Sequence, residues 1–231
     1  MSRSRLFGSL CAIVFLVNFA RVVFAPLVGE FIGEFAIGEG TAGMIVTLAW
    51  LGSAAPRLPA GWGLTRFSRQ YVILVSGAML TLGALGVAIA PGVPTLMTAA
   101  FAIGLASGVY FVAANPFISE LFPPRVGRVM GVHGMASQLS AVAAAPVGTV
   151  ALWYDWRYAF YALALAAAAS TALFVALRPP DRPPGRRRGR HRLPRRRALR
   201  VEADPRRRRP DGTHELRLAG AVQLLRAVHD R

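Results

Sequence analysis

Apolar residues fill six blocks along the first three quarters of this chain, and short polar or turn-forming segments separate them. The blocks cover roughly residues 6–29, 41–64, 71–90, 95–116, 128–152 and 157–177. Each meets the requirement of about 20 residues for a helix that crosses a bilayer core. The separators are Gly38-Glu39-Gly40, Arg66 to Arg69, Pro91-Gly92-Val93-Pro94, Phe122 to Arg128 and Tyr154-Asp155. In lipid an open strand leaves its backbone groups unpaired, so every block reads as a helix. The expected fold class is an all-α membrane protein with six transmembrane helices over residues 1–178.

Composition agrees with this pattern. A mean hydropathy of +0.44 with 54% hydrophobic residues is more apolar surface than a soluble core of this size hides. The start, Ser2-Arg3-Ser4-Arg5 before an apolar run, imitates a signal peptide, but further spans follow and it reads as a retained first helix. The single cysteine, Cys11, has no disulfide partner in the chain and reads as a small buried hydrophobe.

Charge then orients the spans. Arg3 and Arg5 precede the first, Arg66 and Arg69 join the second to the third, Arg125 and Arg128 join the fourth to the fifth, and Arg178 follows the sixth. The opposite loops carry Glu30, Glu34, Glu39 and Asp155, with Arg157 as the one cation, offset by Asp155. The positive-inside rule places both ends of the bundle in the cytoplasm of a multi-pass cell-membrane protein.

Two arginines fall inside the apolar blocks. Arg21 lies about 22 Å along the first span from Leu6, well within a core of about 30 Å. Arg57 lies between Pro56 and Pro59 in the second span. A cation at such depth costs several kcal/mol unless it faces water or a partner, so both are candidate path residues. Asn18, three residues before Arg21, shares its helix face and joins the candidates. Asn115, ahead of Pro116, and Gln138 in the fifth span complete the set, while His133 reads as a structural residue. An anionic substrate would suit Arg21 and Arg57. Small residues at packing intervals, including Gly104 and Gly108, read as close helix contacts. The chain has no phosphate loop, metalloprotease motif or paired cysteines, and no cofactor, metal or enzymatic activity is expected.

The loop Gly61-Trp62-Gly63-Leu64-Thr65-Arg66-Phe67-Ser68-Arg69 resembles the signature loop of the major facilitator superfamily. Gly61, Arg66 and Arg69 match its pattern, whereas Thr65 and Ser68 replace the usual aspartate and glycine. Residues 115–123 resemble the family's exit from its fourth helix, and residues 156–160 the entry to its sixth. The resemblance covers residues 1–178 and implies one six-helix half of a twelve-helix carrier. It implies alternating access, secondary transport of a small solute, a coupling ion, and a second six-helix half or a second copy as partner. The resemblance also implies a site near the midplane between the halves. The alternative is a non-transporting membrane protein, acting as a half-transporter partner or through its tail.

That tail, residues 179–231, holds 17 of the 27 arginines, in runs such as Arg186-Arg187-Arg188 and Arg206 to Arg209. A low-complexity basic segment of this kind is expected to be disordered. Three readings stand: binding of anionic lipid, at about 1 kcal/mol per cation; binding of nucleic acid, for which no specific module is present; and translation out of frame. The third is favoured. Shifted forward by one base, arginine codons of the CGN type become codons for small, apolar or acidic residues. The codons of His214 to Asp230 then permit an aromatic-rich apolar stretch. The expected product is a truncated or frameshifted carrier.

Overall fold

The computed structural model describes residues 3–57, 66–151 and 153–178, and all regular structure among them is helical. Helix α1 spans Arg3–Val22. A 3-10 turn at Ala25–Leu27, built around Pro26, leads into α2, Val28–Phe35. Then follow α3, Glu39–Ala54; α4, Arg69–Ala88; α5, Val93–Leu121; a 3-10 turn at Pro123–Arg125; α6, Val126–Ala151; and α7, Arg157–Leu177. Local chemistry sets several of these ends. The Ser68 hydroxyl accepts the Tyr71 N–H at 3.2 Å and caps α4. Pro94 sits in the first turn of α5, where a missing N–H costs nothing. Helix α2 stops at Ala36, which takes the left-handed conformation (φ 50°) more usual for glycine.

Four stretches among the described residues are long and apolar enough to cross a membrane: Arg3–Phe35, Arg69–Ala88, Val93–Leu121 and Arg157–Leu177. Six were expected. The second expected span shows 16 helical residues, Glu39–Ala54, and its continuation through residues 58–65 lies outside the described residues. The fifth, Val126–Ala151, has 26 residues, but His133, Ser137, Gln138 and Ser140 dilute its apolar character. Two edges also moved. Pro26 breaks the first helix without ending the span, and Pro116 lies inside α5, which continues to Leu121. A proline removes one backbone hydrogen bond, and packed neighbours tolerate that loss.

Helix α5 packs along α4 and α3, α4 along α7, and α1 along α6 and α7, with a lesser contact between α1 and α5. Helices α3 and α6 do not pack extensively on each other, so they form two edges of the bundle with α1 and α5 behind them. Glycines permit the tightest crossing. A Cβ on Gly104 would meet the Ala49 carbonyl oxygen and would come within 2.9 Å of the Gly52 Cα, and one on Gly108 would meet the Ser53 carbonyl and Pro56. Such contacts hold helices together where lipid supplies no hydrophobic drive between them. The Ser76 hydroxyl adds a bond to the Ala106 carbonyl across α4 and α5 at 2.8 Å.

At the end of the bundle that holds α2 and the start of α7, Phe24, Phe31, Trp156 and Phe160 form one aromatic cluster. The Phe31 and Trp156 centroids stand 5.0 Å apart, and those of Phe24 and Phe160 5.3 Å. Arg157 closes it. Its Nη2 pairs with Glu34 at 2.5 Å, its Nη1 donates to the carbonyls of Ala88 and Ala90, and Glu34 also accepts from the Trp156 indole. Asp155 stands 4.0 Å from the Arg157 Nε and accepts the Arg157 backbone N–H at 2.8 Å. The charge of Arg157 is therefore offset chiefly by Glu34, more than by the adjacent Asp155. The expectations for residues 179–231, including disorder and a changed reading frame, lie outside the described residues.

Candidate functional site

Arg21 occupies the last turn of α1, just before the Pro26 break, and is 6% exposed. Free carbonyls at a helix C-terminus favour a cation nearby, which partly explains how the position tolerates the charge. Asn18 lies one turn earlier and is also buried. Its Nδ2 donates to the Ser137 carbonyl at 2.7 Å and to the Ser140 hydroxyl at 2.7 Å. A carbonyl only accepts, so the amide orientation is determined and Oδ1 remains for Arg21 Nη2, which donates to it. Across the cluster the Arg21 guanidinium lies over the Trp50 ring of α3, 4.6 Å from its centroid. Helix α1 thus joins both edge helices through two adjacent polar side chains.

Arg21 lacks the partner its charge requires. Its Nε is buried with no hydrogen bond, and none of the ion pairs among the described residues includes it. Arg57, exposed and seven residues beyond Trp50, adds like-charge repulsion instead.

Helix α6 carries more of this polarity. His133, Ser137 and Ser140 recur at intervals of four and three, so all three line the same buried face. The Tyr110 hydroxyl donates to the Leu10 carbonyl at 2.8 Å, and its single proton is thereby committed. The 3.0 Å contact between Tyr110 and His133 Nε2 therefore has the imidazole N–H as donor. Tyr110 thus links α1, α5 and α6, with His133 bonded to it.

The expected path residues divide. Asn18 and Arg21 meet directly, and Arg57 acts on Arg21 through its charge. Asn115 is half-buried on α5, with its carbonyl accepting the Ser119 hydroxyl, and Gln138 lies on the exposed side of α6. Neither joins the cluster. Trp50, Ser137 and Ser140 belong to it and were not expected. The four-and-three spacing of His133, Ser137 and Ser140 was a usable signal for the serines, whereas nothing local marked Trp50. In the loop, Gly61 lies outside the described residues, and Arg66 is exposed in the turn before α4. Arg69 pairs with Glu120 at 2.5 Å and reaches the Pro116 carbonyl at 3.3 Å, tying the start of α4 to the end of α5.

A separate groove of about 520 Å³ opens between α1, α6 and α7, lined by Phe15, Phe19, Pro146, Val150 and Tyr158 among others. Asp155 is its one charged lining residue, so it offers a polar solute little to bind, and Arg21 does not line it.

The family model described as Major Facilitator Superfamily matches residues 10–224 of this chain. Myo-inositol transporter 3A of Cryptococcus neoformans var. grubii is 30% identical over 139 residues, which make up 58% of this chain and 23% of that protein. The purine ribonucleoside efflux pump NepI of Escherichia coli K12 is 29% identical over 134 residues, 57% of this chain and 34% of the pump. The chain therefore spans about a quarter to a third of the length of these curated relatives. Among solved structures, a bacterial homologue of the human lysosomal transporter Spinster, inward-facing and unoccupied, superposes with a TM-score of 0.69 at 16% identity. The match covers 78% of this chain and 44% of that one. The peptide transporter POT in complex with sulfate gives a TM-score of 0.66 at 20% identity, covering 74% and 37%. At these identities the likeness is one of fold.

Proposed function

The chain belongs to the Major Facilitator Superfamily, and from that premise we propose that it forms a six-span half of a secondary carrier for a small solute. It sits in the cell membrane with both ends of the bundle in the cytoplasm, as its arginines favour. The path runs past Arg21 and Asn18, between α3 and α6, on a face that a second half, or a second copy, would cover. Arg57 lies beside that path, with Asn115 and Gln138 further from it. Gly61, Arg66 and Arg69 serve the loop between the second and third spans. The observation that carries this reading is a buried, underpartnered arginine joining two edge helices of an apolar bundle. Charge at that depth persists where it faces a cavity or a ligand, and carriers of this fold hold their sites near the midplane.

Proteoliposomes holding the full chain provide the test. Under an inward proton gradient they should accumulate at least one of myo-inositol, a purine ribonucleoside, benzoate and inorganic phosphate above protein-free vesicles. Arg21→Gln should lower that uptake at least about tenfold. No uptake of any of the four by a monodisperse preparation would count against transport by this chain.

A further inference from the structure

We propose that Arg21 anchors a binding site for an oxyanion, a carboxylate or phosphate group borne by the transported solute. This rests on the carrier reading above and names the chemical class that its site selects.

The first support is a count of counter-charges. Residues 3–178 contain five acids: Glu30, Glu34, Glu39, Glu120 and Asp155. Glu34 and Asp155 serve Arg157, and Glu120 pairs with Arg69. Glu30 and Glu39 stand in the first turns of α2 and α3, beyond the Pro26 break from Arg21. Residues 58–65 and 152 contain no acid at all. The bundle thus has no carboxylate to give Arg21, which is nonetheless 6% exposed. An uncompensated buried charge is among the most costly features a fold can carry.

The second support is the state of the guanidinium itself. Asn18 takes one Nη2 hydrogen, Trp50 covers one face, and Nε keeps its proton without an acceptor. The Nε and Nη2 edge is the one on which arginine grips a carboxylate or phosphate through two parallel hydrogen bonds. Asn18 cannot move to meet it, because its amide is held by Ser137 and Ser140. The fork is therefore oriented before any ligand arrives.

The third support is Arg57. A second cation whose charge acts on a buried arginine adds to the cost of burying it. The same charge attracts an incoming anion, and Arg57 is exposed.

Binding can be measured without transport, by isothermal titration calorimetry of the full chain in detergent micelles at constant ionic strength. Sodium benzoate and sodium phosphate distinguish the two oxyanions, and benzamide is the neutral control. At least one anion should bind saturably while benzamide does not. Arg21→Gln should abolish that heat. Arg21→Lys keeps the charge but loses the fork, and should weaken binding about tenfold. Asn18→Asp is the sharpest variant, because it supplies the missing carboxylate from within. It gives up the bond to the Ser137 carbonyl, so the unfolding midpoint should fall modestly while the preparation stays monodisperse and anion binding is abolished. The inference is overturned if no anion binds the parent chain, or if binding survives Arg21→Gln or Asn18→Asp. Anion binding without flux would leave this site standing and defeat the carrier reading. Flux of myo-inositol that ignores both benzoate and Arg21→Gln would do the reverse.

Discussion

Arg21 and Arg157 each lie over a tryptophan at nearly the same separation, 4.6 Å and 4.7 Å. In other respects they are treated differently. Arg157, at one end of the bundle, has Glu34, Asp155 and two backbone carbonyls, so its charge and its donors are occupied. Arg21, within the bundle, has one neutral oxygen and an idle Nε. Arg157 joins α2, α4 and α7 and stabilises their arrangement. Arg21 keeps an unused donor, which on the proposed reading a ligand would engage. Residue type and aromatic partner are the same, so the supply of carboxylates is what separates the two arginines.

The contrast breaks most visibly if both arginines are replaced by glutamine. At Arg21 the loss should fall on flux, at least about tenfold, while the unfolding midpoint holds or rises because an uncompensated charge has gone. At Arg157 the pattern should reverse. Stability in detergent should fall by about 2 kcal/mol, a figure discounted for the partial exposure of the pair, with benzoate binding unchanged in calorimetry. Equal thermal losses at the two sites would erase the distinction. A smaller change sharpens it: Glu34→Gln leaves an acceptor for the Trp156 indole but removes the ion pair, which should cost about 1 kcal/mol in denaturant unfolding. The smallest effect is expected from Trp50→Leu. Removing the ring from Arg21 should change stability by under about 1 kcal/mol, and anion binding should weaken without disappearing.

Much of the bundle was legible in advance because hydropathy and turn chemistry act locally. The blocks at residues 71–90 and 157–177 correspond closely to Arg69–Ala88 and Arg157–Leu177. Gly104 and Gly108 stood at packing intervals and do lie against α3. Prolines were harder to read. Pro116 suggested an end where α5 continues, and Pro26, inside an apolar block, interrupts the helix beside Arg21. Both outcomes depend on whether neighbouring helices support the backbone around the ring. The polarity of α6 was visible residue by residue, but its face was not. Gln138 drew notice as a polar side chain and points outward, whereas Ser137, beside it, holds Asn18.

From the sequence alone, then, came the apolar blocks, the helical character that lipid imposes on them, and the pairing of Asn18 with Arg21 on one helix face. These follow from composition and a period of 3.6 residues, which neighbours in the chain define. Tertiary structure decided which partners meet. Asn18 finds Ser137 across 119 residues of sequence and Arg157 finds Glu34 across 123, while Arg21 finds a tryptophan and no acid. Between apolar helices the register is set by glycine contacts and a few polar bonds. A polar side chain therefore cannot be assigned a partner, or shown to lack one, until the helices have been placed.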